Sequence, residues 1–156
     1  MTELKIRRYK KSDNKTVWDL HVLGLKQSGT YLGSGDWDKD LDNIEEIYLK
    51  NGQFLIGEIN GKIVAMGAFK KISDGLAQVK RIRVLSPYQR RGFGQAILDK
   101  LEKTASRMGY KTIRLDTIDR NLAAQKFFEK NGYAKTKTEM LEKYNLEIIY
   151  YEKKLK

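Results

Sequence analysis

Apolar residues fall in two rhythms along the 156-residue chain, and each change of rhythm marks an element. Leu4-Lys5-Ile6-Arg7 alternates and predicts a first strand, closed by a polar turn at Ser12-Asp13-Asn14. Val17, Trp18, Leu20, His21 and Leu25 then follow helical spacing, until a Gly-rich stretch from Gly29 to Gly35 ends the helix. A second helix is predicted over 38–50, with Leu41, Ile44, Ile47 and Tyr48 as its apolar stripe. Phe54 to Ile59 and Lys62 to Phe69 flank Asn60-Gly61, a pair that suits a type I′ turn because both central residues take positive φ. A strand from Leu76 to Leu85 precedes the strongest helix, Gly92 to Arg107, whose buried stripe is Phe93, Ile97, Leu101, Ala105 and Met108. Lys111 to Ile118 reads as a strand, and Asn121 to Lys130 as a short helix stopped at Asn131-Gly132. Two closing strands are predicted, over 134–140 and 146–153. The order β-α-α-β-β-β-α-β-α-β-β fits an α/β (α+β) sandwich, a mixed sheet flanked by helices, in a single domain over residues 1–156.

One strand breaks its own alternation. Ala77 and Val79 are apolar in one phase, Ile82 and Val84 in the other. A β-bulge near Lys80-Arg81 would produce that slip, because one extra residue turns every later side chain to the other face. A merely imperfect alternation is the alternative.

Composition removes several kinds of chemistry. Without cysteine there is no disulfide, no thiolate nucleophile and no cysteine-held zinc; with His21 as the one histidine, a multi-histidine metal site is excluded, and no metal is expected. No apolar run is long enough to cross a bilayer. Charged residues at Glu3 and Lys5 come too early for a secretory leader, so a cytoplasmic setting and no membrane partner are expected. The net charge of +11 favours a polyanion, but the basic residues are spread along the chain and no nucleic-acid motif accompanies them. A small polyanion is one partner that charge would suit, a solvated lysine-rich surface is the alternative, and no nucleic-acid partner is expected.

The segment Ser86-Pro87-Tyr88-Gln89-Arg90-Arg91-Gly92-Phe93-Gly94 lies between a strand and the strongest helix. Pro87, the one proline, ends the strand. Gly92 and Gly94 let backbone approach a ligand closely, and the helix that opens there offers free N–H groups and the positive end of its dipole. Arg90 and Arg91 add charge. A pyrophosphate fits such a site, and a tight turn needed only for packing is the alternative. The loop matches neither G-x-G-x-x-G, because Ile97 takes the third glycine's place, nor the P-loop pattern.

Gln89, Gly92 and Gly94 fill the defined positions of Q/R-x-x-G-x-G/A, and the loop resembles that signature of the GCN5-related N-acetyltransferase (GNAT) superfamily. The preceding Ile82-Arg83-Val84 and the segment Asn121 to Tyr133 are similar to the family's flanking blocks, in the same order. The resemblance implies acetyl-CoA as co-substrate, transfer of acetyl to the primary amine of a small molecule or peptide, and a mostly antiparallel GNAT-like sheet. It implies that the stretch Gln89, Arg90, Arg91, Gly92, Phe93 and Gly94 holds the pyrophosphate. Backbone of Ile82, Arg83 and Val84 would pair with the pantetheine arm like an added strand. Asn121 and Phe128 would close the other side, with helix N-capping as the alternative for Asn121. The family also allows a homodimer joined through a sheet edge.

The chain departs from the family where proton transfers occur. Gln78 stands for the usual strand glutamate and Phe128 for the usual tyrosine, so neither base nor acid is assigned and a non-catalytic acetyl-CoA sensor is the alternative. Asp116, Tyr133, Tyr31 and Glu58 are the remaining groups, a structural role is the alternative for each, and no catalytic residue is named. Residues 36–46 form the one acidic cluster, and Asp36, Trp37 and Asp38 are candidates to recognise a cationic acceptor amine. Acidic capping of the second helix is the alternative.

Overall fold

A computed structural model describes residues 3–156 except 28, 30, 32, 34 and 35, with backbone alone at 36 and 37. Its strands are β1 (Lys5–Arg8), β2 (Gln53–Ile59), β3 (Lys62–Ser73), β4 (Leu76–Val84), β5 (Thr112–Ile118), β6 (Ala134–Leu141) and β7 (Leu146–Lys154). Its helices are α1 (Asn14–Gln27), α2 (Ile44–Ile47), α3 (Phe93–Arg107) and α4 (Leu122–Lys130). The strands form a 7-stranded sheet in the order β1-β2-β3-β4-β5-β7-β6, antiparallel except for the β4–β5 pair. The β2–β3 turn has positive φ at both Asn60 (51°) and Gly61 (81°), as the Asn-Gly pair predicts.

Each face of the sheet carries its own core. On one, Ile97, Leu98, Leu101 and Ala105 of α3 and Phe128 of α4 pack with Val79, Ile113 and Leu115. Burying each large aliphatic side chain there contributes roughly 2 kcal/mol. Gly67 lets α3 approach β3 closely: a Cβ at that position would lie 2.4 Å from Ile97 Cγ2. On the other face, Val17 and Leu20 of α1 pack with Leu41, Ile44, Tyr48, Phe54 and Met66.

Two expectations need correction. The helix over 38–50 is a 3-10 stretch at Asp36–Asp42 followed by the single turn of α2, with Asn43 between them at φ −145°, ψ 46°. Its apolar stripe still buries Leu41, Ile44 and Tyr48, because a three-residue repeat keeps Leu41 and Ile44 on one side. Met108, expected in the α3 stripe, sits at the helix C-cap and is exposed. Among the described residues no helix is long and apolar enough to cross a membrane.

Candidate functional site

The phase slip in β4 is a bulge. Lys80 pairs with Ala68 and Arg83 with Met66, so β4 advances three residues where β3 advances two. Arg81 takes the strain, with φ 64°. Just before it, β4 parts from its parallel neighbour: β5 pairs only Thr112–Arg114 with Leu76–Gln78. Beyond that point β4 follows β3 and β5 follows β7 as far as Ile118. A cleft of about 730 Å³ occupies the gap. Its lining includes Phe127 and Phe128 from α4 on one face of the sheet and Gly24 and Gln27 from α1 on the other, so it passes through the sheet.

The α3–α4 end of the cleft is built largely from backbone. The Gln89 amide donates to the Val84 carbonyl (2.9 Å), which folds the loop back on the strand that precedes it. Arg90 (φ 63°) and Gly92 (φ 81°) then turn the chain into α3. Gly92 is the N-cap and has no side chain to cap with, and the first intrahelical bond runs from Ala96 N–H to its carbonyl (3.0 Å). The N–H groups of Phe93, Gly94 and Gln95 thus precede that bond at the positive end of the helix. Packing does not demand glycine at 94, because a Cβ there would meet only Val84 and Phe127 at ordinary distances of 3.7 and 3.9 Å. Close approach of a ligand does give a reason for it. Across the cleft, Asn121 Oδ1 accepts from Ala124 N–H (3.1 Å) and caps α4. A reciprocal amide pair between Gln95 and Asn131 (2.6 and 3.1 Å) fixes the two helices together.

Most residues predicted to hold a cofactor therefore meet in one place. Ile82, Arg83, Val84, Gln89, Arg90, Gly92, Phe93, Gly94, Asn121 and Phe128 all line the cleft. Arg91 does not lie in this lining; its guanidinium stacks on the Tyr88 ring, 5.4 Å from the centroid. Tyr88 and Phe127 line the cleft without having been singled out, since an aromatic beside a glycine loop looks in sequence like any core residue.

On the α1 side the walls are charged side chains. Ile113 and Leu115 of β5 belong to the α3–α4 core, so alternation turns Arg114 and Asp116 to the α1 face. The buried Gln78 bridges them: its Nε2 donates to Asp116 Oδ2 (3.0 Å) and its Oε1 accepts from Arg114 Nε (3.0 Å). Asp116 is exposed, and among the described residues lining the cleft it is the carboxylate. The other proton-transfer candidates lie elsewhere. Tyr133 is buried and donates to Glu102 (2.7 Å), and burial together with that carboxylate pushes its pKa well up. Glu58 pairs with Arg7 on β1, and Tyr31 lies under the Lys26 ammonium.

The acidic segment proves to be a set of internal ties. Asp38 is buried and accepts from His21 Nε2 (2.7 Å). Asp40 receives Arg81 Nε (3.0 Å) and Nη2 (2.5 Å) as well as the Tyr48 hydroxyl (2.5 Å), and Asp42 receives the Trp18 indole (3.1 Å). Burial alone would raise Asp40; the Arg81 bonds and charge and the Tyr48 bond hold it below the ordinary carboxylate range. Burial, reinforced by the charges of Arg81 and Arg83, pushes His21 down to about 4 against the pull of Asp38. Asp38 is thus not a cleft carboxylate for a cationic amine, because its charge is spent inside the protein. The side chains of Asp36 and Trp37 lie outside the described residues.

Comparison with known proteins agrees with this geometry. A model of the "Acetyltransferase (GNAT) family" matches residues 18–133. The chain is 26% identical over 132 residues to the mouse protein N-acetyltransferase family 8 member 3, covering 75% of this chain and 58% of that one. It thus spans little more than half the length of such curated relatives. A GNAT-family acetyltransferase from Staphylococcus aureus Mu50 superposes with a TM-score of 0.88 at 25% identity, over 99% of this chain and 100% of that one. An acetyltransferase from Salmonella typhimurium, solved with its cofactor acetyl-CoA, gives a TM-score of 0.77 at 19% identity over 98% and 94% of the two chains. With the bulged β4, the parted β4–β5 pair and the glycine loop all in place, the chain belongs to the acetyltransferase (GNAT) family.

Proposed function

We propose that the chain transfers an acetyl group from acetyl-CoA to a primary amine, by direct attack of the amine on the thioester. The observation that carries this is the gap between β4 and β5, which joins an anion-binding helix end on one face of the sheet to a carboxylate on the other. Bound there, acetyl-CoA would supply an activated acyl carbon. The N–H groups of Phe93, Gly94 and Gln95 suit its pyrophosphate, Arg90 adds charge, and the edge of β4 from Ile82 to Val84 suits its amide-bearing arm.

The chain's own residues then have separate tasks. Asp116 holds the incoming ammonium and first takes one proton from it, so that the neutral amine attacks the thioester carbon, the C–N bond forms and the C–S bond then breaks. The sulfur leaves with the electron pair and takes up the second proton of the acylated nitrogen, which gives the free thiol and the neutral amide. Gln78, fixed by Arg114, orients the Asp116 carboxylate and performs no proton transfer itself. A carboxylate on the cleft wall weighs against the non-catalytic reading so far as that reading rested on Gln78.

Thiol release from acetyl-CoA across a panel of primary amines tests the proposal. Turnover with at least one amine is expected, and Asp116→Asn should lower kcat about a hundredfold while acetyl-CoA affinity stays within about twofold. Full turnover by the Asp116→Asn enzyme would remove Asp116 from the reaction, and binding without turnover on any amine would restore the sensor reading.

A further inference from the structure

Arg83, like Lys80 and Lys130, is a charged residue of the cleft lining whose side chain has no task in the acetyl transfer proposed above. Its neighbours Ile82 and Val84 pack toward the α3–α4 core, so alternation places its side chain on the α1 face, the same face as Asp116. There it lies against α1 at Gly24, where an added Cβ would stand 2.8 Å from Arg83 Cδ. A glycine in mid-helix costs about 1 kcal/mol relative to alanine, so the helix carries a flaw that makes room for this arginine. The guanidinium is only partly satisfied. Nη1 donates to the Ile82 carbonyl (3.0 Å), whereas Nε is shut off from solvent and has no hydrogen-bond partner.

Nearby carboxylates are already committed. Asp40 is held by Arg81 and Tyr48, Asp38 by His21, and Asp116 by Gln78. Lys80, which also lines the cleft, adds positive charge to the same wall. Burial and the Arg81 charge lower Arg83 to about 10, and the charge of Asp38 offsets this only in part. A guanidinium that lines the cavity, makes one bond to backbone and is incompletely satisfied suits a carboxylate reaching its cleft-facing end.

We infer that Arg83 recognises a carboxylate on the acceptor, so that the acceptor is a small amine carrying its own carboxylate, such as a free α-amino acid. This rests on the reading above, in which the amine meets Asp116 on the α1 side of the cleft. Asp116 then takes the ammonium and Arg83 the carboxylate of one zwitterion. That division differs from the expectation that Asp36, Trp37 and Asp38 recognise a cationic amine.

The experiment compares each amino acid with the amine left by removing its carboxylate: phenylalanine with phenethylamine, lysine with cadaverine, and glutamate with 4-aminobutyrate, which keeps only the distal carboxylate. The wild-type chain should favour the best amino acid over its α-decarboxylated partner by at least about tenfold in kcat/KM. Arg83→Gln should bring that ratio close to one by raising the amino-acid KM, and Arg83→Lys should recover part of it. A parallel calorimetric titration of the same compounds into the CoA-loaded protein reads acceptor binding without turnover. There, saturable binding of an amino acid that Arg83→Gln abolishes supports the inference even if thiol release fails. Acetyl-CoA affinity and melting temperature of both variants show whether cofactor binding and the fold survive. Equal use, or equal binding, of amino acids and their decarboxylated partners by the wild type would overturn the inference. So would an Arg83→Gln variant that loses acetyl-CoA affinity and leaves the acceptor ratio unchanged, which would give Arg83 to the cofactor instead.

Discussion

The α3–α4 end of the cleft is shaped by backbone, and the α1 end by charged side chains paired across long stretches of sequence. At the first, Gly92 turns the chain, Gln89 folds the loop onto Val84, and the opening N–H groups of α3 are presented by the helix itself. At the second, Asp40 of the 3-10 stretch holds Arg81 of β4, Asp38 holds His21 of α1, and Gln78 of β4 holds Asp116 of β5. The contrast teaches where each function can vary. A site made of backbone tolerates changes of side chain and keeps one ligand, whereas a site made of paired charges changes its ligand whenever a partner changes.

If that division is right, damage at one end should spare the other. The largest effect is expected from Asp40→Ala, which removes the carboxylate paired with the largely buried Arg81 guanidinium and should cost about 3 kcal/mol of stability. Denaturant unfolding would show it, and the surviving folded protein should bind acetyl-CoA within about twofold of the wild type. A cost below about 1 kcal/mol would mean that the pair does not hold the α1 side together.

Acid should act on the same side. His21 is depressed in the folded state, so the unfolded chain takes up the proton first. The stability His21 contributes is complete above the ordinary pKa of 6.5 and falls away as pH drops from there to about 4, by roughly 3 kcal/mol in all. Unfolding free energy measured across that range should slope downward, and His21→Gln should flatten the slope. An unchanged slope in the variant would assign the acid sensitivity to other groups.

The smallest effect sharpens the comparison most. Gly94→Ala has room for its Cβ and lies in the first turn of a helix, so stability should hold or rise by about 0.5 kcal/mol. Acetyl-CoA affinity should nevertheless fall about tenfold, because the methyl group stands where backbone and ligand are to meet. Thermal melting and calorimetry moving in opposite directions would separate ligand approach from packing. Parallel changes would return the glycine to the fold.

The same contrast explains what could be read from the sequence. The element order, the Asn60-Gly61 turn, the β4 bulge and the glycine loop were legible because each is a local pattern in which backbone geometry answers to neighbouring residues. Residues 36–42 misled for the opposite reason. Their spacing and acidity suggest a capped helix with free carboxylates, but His21, Arg81 and Trp18, which engage them, stand 17, 41 and 24 positions away. Asp116 was visible only as one candidate among four, since nothing in the strand Thr112–Ile118 announces that Gln78 grips its carboxylate. The departure at Gln78 looks in sequence like a loss of function, because its bonds to Arg114 and Asp116 join residues 36 and 38 positions away.

The central claim is that the parted edges of β4 and β5 receive the acyl donor. A crystal structure of the chain soaked with acetyl-CoA tests it most directly. The account predicts the pyrophosphate at the N–H groups of Phe93 to Gln95, the arm along Ile82 to Val84, and the thioester in the gap within reach of the Asp116 side of the sheet. Acetyl-CoA bound elsewhere, or a gap closed by continued β4–β5 pairing beyond Gln78 and Arg114, would contradict it.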